Sequence, residues 1–558
     1  MLGKTVKVVV DRPLGSSHPK HEDIVYPVNY GYIPGLMAPD GEEQDAYILG
    51  IHEPLQEFEG RVIAIIHRLD DVEDKWVVVP EGMSFTKEEI MAQVAFQEQY
   101  FRTEITMQRK ILVTGGTVFV SRYVAQYFAN KGDEVYVLNR NSKPQVPNVT
   151  LIEADRNYLG DKLKGYEFDA VLDITTYTAE QAAKLVQGLG KFGDYIMVSS
   201  SAVYPETNPQ PFAEEQSCGT NSVWGDYGTN KLAAEEYLLE HVPQAYILRP
   251  PYLYGPMQNV YREPFVFQCA EAGREFYIPG DGSMKLQFFH VEDLCRFMEI
   301  LLEQHPAQRI FNVGNPEAVS ISEWVQLCYD AVGMELKTVH VEGHLQRSFF
   351  CFHDYDYCLD VRKQTALMPQ VKPLAEGLQE SYAWYRDHRD AIVPKPYIEY
   401  ADTKILRLVQ AKPEEAEMAA GLQRLGFAEL LERYQDHDTN PANEGVERIL
   451  WKIQNPGSFY YFIKVGQNIV GAIRVVDEGN GSRKRISPLY ILPEYRGKGY
   501  AQLAMLEAER IHGANHWELG TILEEKGNCY LYEKMGYHQT GSRAVINEKM
   551  TIVGYEKD

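Results

Sequence analysis

The stretch Lys110 to Lys131, KILVTGGTVFVSRYVAQYFANK, most constrains the fold. Ile111, Leu112 and Val113 form a short apolar run of the kind buried in a sheet. Thr114 to Thr117 is a glycine turn, and Phe119, Tyr123 and Tyr127 recur at helical spacing. A strand, a tight turn and a helix in that order leave backbone N–H groups of the turn and the helix N-terminus facing outward, where they can hold a pyrophosphate. The expected ligand is a dinucleotide, held along Thr114, Gly115, Gly116, Thr117, Val118, Phe119 and Val120. A second stretch, Tyr227-Gly-Thr-Asn-Lys231, sets a phenol and an ammonium one helical turn apart. A lysine beside a tyrosine favours the phenolate and suits the pair to proton transfer at a carbinol oxygen. A Tyr and a Lys on a solvated helix face are the plainer alternative. Ser199, Ser200 and Ser201 close the apolar run Tyr195 to Val198 and offer a hydroxyl to orient a substrate oxygen.

These words occur with SSSAVY (199 to 204), LRPPYLYGP (248 to 256), PGDGSMKLQFFHVEDL (279 to 294) and FNVGN (311 to 315). In that order they resemble the extended short-chain dehydrogenase/reductase superfamily, the NAD-dependent epimerase/dehydratase group, over a domain spanning 107–390. The resemblance implies an α/β Rossmann doubly wound sheet, NAD or NADP as cofactor, and Ser200, Tyr227 and Lys231 as catalytic groups, with Ser201 as the other serine. The chain departs from the family pattern at Val118 and Ser121, where glycines belong. Asn139 stands where NAD-binding members carry an acid for the ribose, and Arg140 follows it. A guanidinium there suits a 2′-phosphate, which favours NADP and leaves NAD open. Asp155 and Arg156 end the next strand, where members of the family contact adenine. Leu286 and Gln287 occupy the place of the diphosphate-clamping arginine of sugar-nucleotide epimerases, with Lys285 and Arg262 as substitutes. The GGTxF and QFxHVxDL wording also resembles a subgroup that includes chloroplast stem-loop-binding proteins, which keeps a non-redox reading in view.

At 558 residues the chain exceeds one ordinary core and predicts about three or four domains. A net charge of −24 repels phosphate backbones, arguing against nucleic-acid and anionic-membrane partners. No apolar run reaches bilayer length, and Met1 leads directly into VKVVV without a signal-peptide pattern. The seven cysteines are scattered without a CxxC pair, so reduced thiols and a cytoplasmic setting are expected. Small-molecule substrates are the expected partners, and a homo-oligomer stays open.

Residues 1–106 hold strand-like runs (VKVVV, AYILGI, VIAIIH, WVVVP) separated by turns, which predicts a small β barrel closed by a helical tail. Acids gather in two turns, Asp40 to Asp45 and Asp70 to Lys75, a pattern that suits a hard divalent cation when the turns converge. DRPLGS (11 to 16), YPVNYGYIP (26 to 34), DGEEQD (40 to 45) and FQEQY (96 to 100) resemble a shortened soluble inorganic pyrophosphatase. That resemblance implies Mg²⁺ ligands at Asp40, Glu42, Asp45, Asp70 and Glu73, with Tyr30, Lys75 and Tyr100 as phosphate contacts. Glu42 and Glu73 are longer than the family's aspartates, and Phe101 replaces a lysine.

Residues 391–403, with Pro394 and Pro396, read as a linker. Residues 404–558 form a third unit in which the strand ending at Ile491 feeds Pro493-Glu-Tyr-Arg-Gly-Lys-Gly-Tyr-Ala501 and a long helix, again an anion cradle. The words Arg496-Gly-Lys-Gly499-Tyr-Ala501 and Asn528-Cys-Tyr-Leu-Tyr532 resemble the GCN5-related N-acetyltransferases, and hence an α/β acetyltransferase fold. The resemblance implies acetyl-CoA held by Arg496, Gly497, Lys498, Gly499, Tyr500, Ala501 and Asn528. It further implies pantetheine paired to the strand Leu489, Tyr490 and Ile491, and Tyr532 protonating the departing thiolate. Candidate bases for the amine are Glu518, Glu478 and Asp477. The expectation is a multifunctional fusion enzyme: N-acetyl transfer, NAD(P)-dependent epimerase, dehydratase or reductase chemistry on a sugar or sugar nucleotide, and a pyrophosphatase-like module. The alternative is a dinucleotide-sensing regulatory protein whose central domain does not turn over.

Overall fold

The computed structural model describes residues 2–19 and 21–558. It divides into two compact units, Met1–Val339 with His353–Pro394, and His340–Phe352 with Lys395–Asp558.

In the first unit the N-terminal strands close on themselves. Thr5–Arg12 pairs antiparallel with Asn29–Met37 on one side and with Glu57–Arg68 on the other. Asn29–Met37 continues to Glu43–Ile48, which runs parallel to Asp74–Val79, and Asp74–Val79 returns antiparallel to Glu57–Arg68. The alternation of side chains along these strands separates two apolar faces. Tyr47, Val77 and Val79 pack with Ile90 and Val94 of the helix Lys87–Glu98, while Ala46, Ile48, Trp76 and Val78 pack with Val8 and Val62. The helix starts at a capping box between Thr86 and Glu89. The expected small barrel is therefore present.

A last barrel strand, Thr103–Met107, pairs with Glu57–Arg68 and leads within two residues to Lys110–Thr114 of a parallel sheet. The Gln108 amide between them donates to the Gly132 carbonyl at 2.8 Å. The parallel sheet runs Val149–Glu153, Glu134–Asn139, Lys110–Thr114, Leu163–Asp173, Leu189–Val198, Tyr246–Arg249, Ile310–Asn312, with the first strand in the chain near the middle. That order is doubly wound, and a nucleotide binds outside the carboxyl ends of such strands where the winding reverses. Helices cover both faces over two apolar clusters, one holding Val113, Val124 and Phe128, the other Leu112, Leu185 and Leu238.

The second unit is built on a seven-stranded sheet in the order Leu406–Gln410, Ser458–Val465, Asn468–Val476, Lys484–Ile491, Trp517–Ile522, Met550–Lys557, His538–Asn547. Its neighbours are antiparallel except for Lys484–Ile491 beside Trp517–Ile522. The expected linker is partly helical: Tyr397–Lys404 is a helix that buries Tyr397 and Ala401 and belongs to this unit. It meets the short helix Gln346–Phe349, whose segment sequence reading assigned to the central domain, and Tyr400 hydrogen-bonds His344 at 3.2 Å. Apolar residues in 391–403 show no regular helical spacing, and the helix is buried through one tyrosine ring and an alanine.

Gly426 sits inside the helix Ala416–Tyr434, where a Cβ would lie 2.3 Å from the buried Tyr490 ring. Gly426→Ala is expected to destabilise the C-terminal unit by about 1–3 kcal/mol through overpacking. Calorimetry would register this as a lower unfolding temperature for that unit's transition alone.

Candidate active sites

In the parallel sheet the glycine turn follows Lys110–Thr114, and Gly115 and Gly116 have φ of +96° and +94°. Neighbours also exclude a side chain, since a Cβ on Gly115 would meet Ser121 Oγ at 2.7 Å and one on Gly116 would meet Val137 at 2.7 Å. Ser121 therefore fits the third glycine's place because Gly115 yields the room. Its hydroxyl bonds the Val118 carbonyl at 3.0 Å. The helix Phe119–Lys131 begins without a side-chain cap, leaving the N–H groups of its first turn available. Val118 stands 38 % exposed at this mouth. Asn139 is engaged: its Nδ2 donates to the Gly115 carbonyl at 2.6 Å and to Gln145 at 2.9 Å. It braces the turn. Arg140 is exposed, and no ion pair is formed by it among the described residues. The Asp155 carboxylate caps its own turn, accepting from the Asn157 backbone at 2.8 Å. Arg156 instead reaches the buried Asp173 at 3.4 Å and Thr175 at 2.9 Å.

Asp173 accepts from Thr114 Oγ1 at 2.8 Å and Tyr195 at 2.7 Å, and also from Thr176. Burial pushes its carboxyl up, but Arg156 and these hydroxyls outweigh burial and hold it below the ordinary value. Lys231 is buried on the helix Asp226–His241, and its Nζ donates to the carbonyls of Thr176 at 2.6 Å and Val198 at 2.9 Å. Burial draws its pKa down to about 8, against the opposing pull of Asp173 and Glu235.

One turn earlier, Tyr227 is 41 % exposed, yet the protein atoms crowding its phenol raise its pKa, and a hydrogen-bond contact with Ser200 pulls the other way. The lowered phenol expected from Lys231 is thus not found: the ammonium serves two carbonyls and lies 4.8 Å from the Tyr177 ring centre. The three serines are engaged differently. Ser201 is fully buried and bonded to the Pro250 carbonyl at 2.8 Å and to Tyr357. Ser199 is spent on Glu235, which also holds Arg249. Ser200, half-buried, is the one that meets Tyr227. Gln287, in the clamp position, donates to the carbonyls of Asn315 at 2.6 Å and Leu359 at 3.2 Å and is fully used by the backbone. Lys285 faces Glu323 at 3.4 Å, and Arg262 donates to the Leu253 carbonyl at 2.6 Å.

In the second unit, Lys484–Ile491 and Trp517–Ile522 pair only as far as Ile486↔Leu519 and then part. Beyond that point Leu489, Tyr490 and Ile491 pair on one side only, with Ile473, Ala472 and Gly471, leaving their other backbone edge to the opening. A cleft of about 630 Å³ runs from this edge to Arg496, Gly497, Gly499, Tyr500, Ala501 and Asn528. Gly497 and Gly499 have φ of +76° and +81°, and the helix Tyr500–His512 starts on Gly499 with no side-chain cap. The Arg496 guanidinium turns back to Glu429 at 2.6 Å and to the carbonyls of Gly426 at 2.8 Å and Ile491 at 3.1 Å, so it shapes the loop. Lys498 is exposed, 5.4 Å from the Tyr495 ring centre. The cleft ends at Tyr532, which is buried. Burial raises its pKa to about 12, with a contact to Thr521 acting against it.

Residues 111–314 match the family model described as NAD dependent epimerase/dehydratase family, and residues 426–537 match the Acetyltransferase (GNAT) family. The chain carries an epimerase/dehydratase-type domain and a GNAT domain. The former is similar to the Arabidopsis thaliana chloroplast stem-loop binding protein of 41 kDa b, 27 % identical over 302 residues, covering 49 % of this chain and 79 % of that one. It is also similar to a Streptomyces dTDP-4-dehydro-6-deoxy-D-allose reductase, 24 % identical over 329 residues, covering 50 % of this chain and 97 % of that one. Among solved structures, the UDP-glucose 4-epimerase of Thermotoga maritima, crystallised with UDP-glucose, matches with a TM-score of 0.43 and 20 % identity over 50 % of this chain and 99 % of that one.

Beside the GNAT cleft lies a second cavity of about 220 Å³ that shares Leu489, Asn528 and Tyr532 with it. None of Glu518, Glu478 and Asp477 lines it, whereas Asp436 does. Sequence spacing gave no sign of Asp436, which precedes the turn Pro441–Asn443 far from any motif. In the barrel the acids do not form an open cation site. Lys75 Nζ lies 2.5 Å from Asp45 and also bonds Glu73, and Tyr30 donates to Asp45. Asp40 and Glu73 share a hydrogen bond that lowers Asp40, while burial and that bond raise Glu73. Asp70 accepts from the Arg102 backbone at 3.0 Å, and Glu42 is exposed. Phe101, in the lysine's place, stacks on Arg68 at 3.8 Å. A further triad in the epimerase-type domain, His290, Glu292 and Glu380, has metal-ligand spacing, but Lys372 Nζ sits 2.5 Å from each carboxylate.

Lys231 has a folded pKa of about 8 against 10.5 in the unfolded chain, so between those values the folded state binds fewer protons and stability rises with pH. Comparing urea midpoints of wild type and Lys231→Met from pH 8 to pH 10.5 should show wild type gaining roughly 3 kcal/mol relative to the variant.

Proposed function

We propose that the chain is a fusion enzyme that transfers acetyl from acetyl-CoA to an amine and carries out NAD(P)-dependent epimerase, dehydratase or reductase chemistry on a sugar or sugar nucleotide. The observation that carries the first part is the opening beyond Ile486↔Leu519, a one-sided strand edge flanked by an uncapped helix N-terminus and ending on Tyr532. The backbone of Leu489 to Ile491 would hold the pantetheine amides, the free N–H groups from Gly497 to Ala501 would hold the diphosphate, and Asn528 would line the thioester end. Tyr532 holds its proton at neutral pH and gives it to the departing thiolate.

For the second part, the groups present fit a nicotinamide dinucleotide. The turn Thr114 to Val120 offers main-chain donors at a winding reversal, and the exposed Arg140 suits a 2′-phosphate. A nicotinamide held there would supply hydride acceptance and return. Ser200 orients the substrate oxygen, Tyr227 exchanges its proton, and Lys231, held by two carbonyls, is the nearby cation. The Streptomyces relative, a dTDP-4-dehydro-6-deoxy-D-allose reductase, supports this substrate class. Gln287 favours a different diphosphate grip from a clamping arginine. A second reading, dinucleotide binding without turnover, is favoured by the side chain of Val118 at the mouth and by the raised phenol of Tyr227. The barrel is assigned no hydrolytic role, since Lys75 occupies the ground between Asp45 and Glu73.

Tyr532→Phe should lower acetyl transfer about 100-fold with acetyl-CoA affinity kept, read by thiol release and isothermal titration. Gly499→Val should instead abolish acetyl-CoA binding, because a β-branched residue does not adopt φ of +81°. Tyr227→Phe should keep nicotinamide-cofactor binding and lose keto-sugar reduction followed at the nicotinamide absorbance. Binding by wild type with no turnover on any nucleotide-linked keto sugar would favour the second reading.

A further inference from the structure

The cavity beside the acetyl-CoA cleft contains a carboxylate with no counter-charge. Asp436 is only 5 % exposed, and no ion pair is formed by it among the described residues. Its oxygens accept from the Thr439 backbone at 2.9 Å and the Thr439 hydroxyl at 2.6 Å, one bond each, which fixes the carboxylate while leaving lone pairs unused. Glu509, the other buried carboxylate described in this unit, is matched by Lys557 at 2.8 Å. A carboxylate removed from water without a cation is costly, and such a cost persists where a ligand supplies the missing charge. The rest of the lining offers no cationic side chain: Phe427, Leu430 and Met550 are apolar, and Ser487, Thr521 and Asn440 are neutral hydrogen-bonding groups. The two cavities share Phe427, Leu430, Leu489, Asn528 and Tyr532, the last two at the thioester end of the cleft on the acetyl-transfer reading.

Resting on the acetyl-transfer reading, we propose that Asp436 is the anchor for the ammonium of the acetyl acceptor, so that the acceptor is a cationic amine with neutral polar substituents. The ammonium docks on the carboxylate and passes one proton to it. The freed nitrogen lone pair then forms the C–N bond to the acetyl carbon. The C–S bond breaks with its electron pair on sulfur, and the thiolate takes the Tyr532 proton. The nitrogen's second proton restores Tyr532, so that one ammonium and one thioester yield an amide, a thiol and one proton. Neutral Ser487, Thr521 and Asn440 suit hydroxyl-bearing acceptors such as amino sugars, whereas an anionic acceptor meets repulsion from Asp436.

The experiment uses the full chain, acetyl-CoA, and glucosamine, spermidine and lysine amide as probes, each set against a hydroxyl counterpart, with thiol release as the readout. Wild type should release thiol with at least one amine and with none of the hydroxyl compounds. Asp436→Asn should raise the KM for that amine roughly tenfold or more while the acetyl-CoA Kd, titrated separately, stays unchanged. Asp436→Glu should recover part of the loss. An unchanged KM in Asp436→Asn, or no amine-dependent release by a wild type that binds acetyl-CoA, overturns the assignment. Failure of wild type to bind acetyl-CoA would instead sink the transfer reading on which it rests.

Discussion

The amide groups at the start of a helix have no partner within the helix, and two such starts set the layout of both proposed active centres. Each follows a strand and a glycine turn, and neither is closed by a side-chain cap. The glycines meet different demands. At Gly115 and Gly116 the surrounding atoms leave no room for a Cβ, so the turn is held from outside by Ser121 and Val137. Around Gly497 and Gly499 there is empty space, and only the positive φ requires glycine. The first turn is a packed piece of the core's rim; the second is a projecting loop steadied from behind by Arg496.

Much of this was legible because it is local. Strand, turn and helix follow one another within about twenty residues, and the Tyr227–Lys231 spacing is a property of one helix. What distant partners decide was not legible. Three consecutive serines follow the same strand, and only Glu235, Pro250 and Tyr357 tell them apart, by engaging Ser199 and Ser201. Lys231 lies one turn from Tyr227, yet its ammonium is claimed by the carbonyls of Thr176, in the loop after Leu163–Asp173, and of Val198, at the end of Leu189–Val198. Asp436 carries no motif at all, and its surroundings come from strands that follow much later in the chain.

The barrel shows the same limit in electrostatic form. Acid-rich turns resembled a cation site, and they do converge, with Asp40 beside Glu73 and Asp45 beside Lys75. The cation they find is the protein's own. Lys75 is 2 % exposed, and its ammonium balances two carboxylates that a divalent ion would otherwise have to share. Charge counting along a sequence treats such a lysine as solvated. Its strand position, with neighbours Trp76 and Val77 buried, places it inward instead.

The seam between the barrel and the parallel sheet has a mechanical meaning. Only two residues separate Met107 from Lys110, a reach of at most about 11 Å over three Cα steps, so there is little slack between the sheets. Gln108 is bonded to Gly132 on one side and to Ile63 on the other, and a Cβ on Gly132 would strike the Leu2 carbonyl at 2.4 Å. A strain imposed on the barrel would therefore pass along the chain into the very strand that carries the glycine turn. The consequence is a short junction, hydrogen-bonded on both sides, directly ahead of the strand that carries the glycine turn.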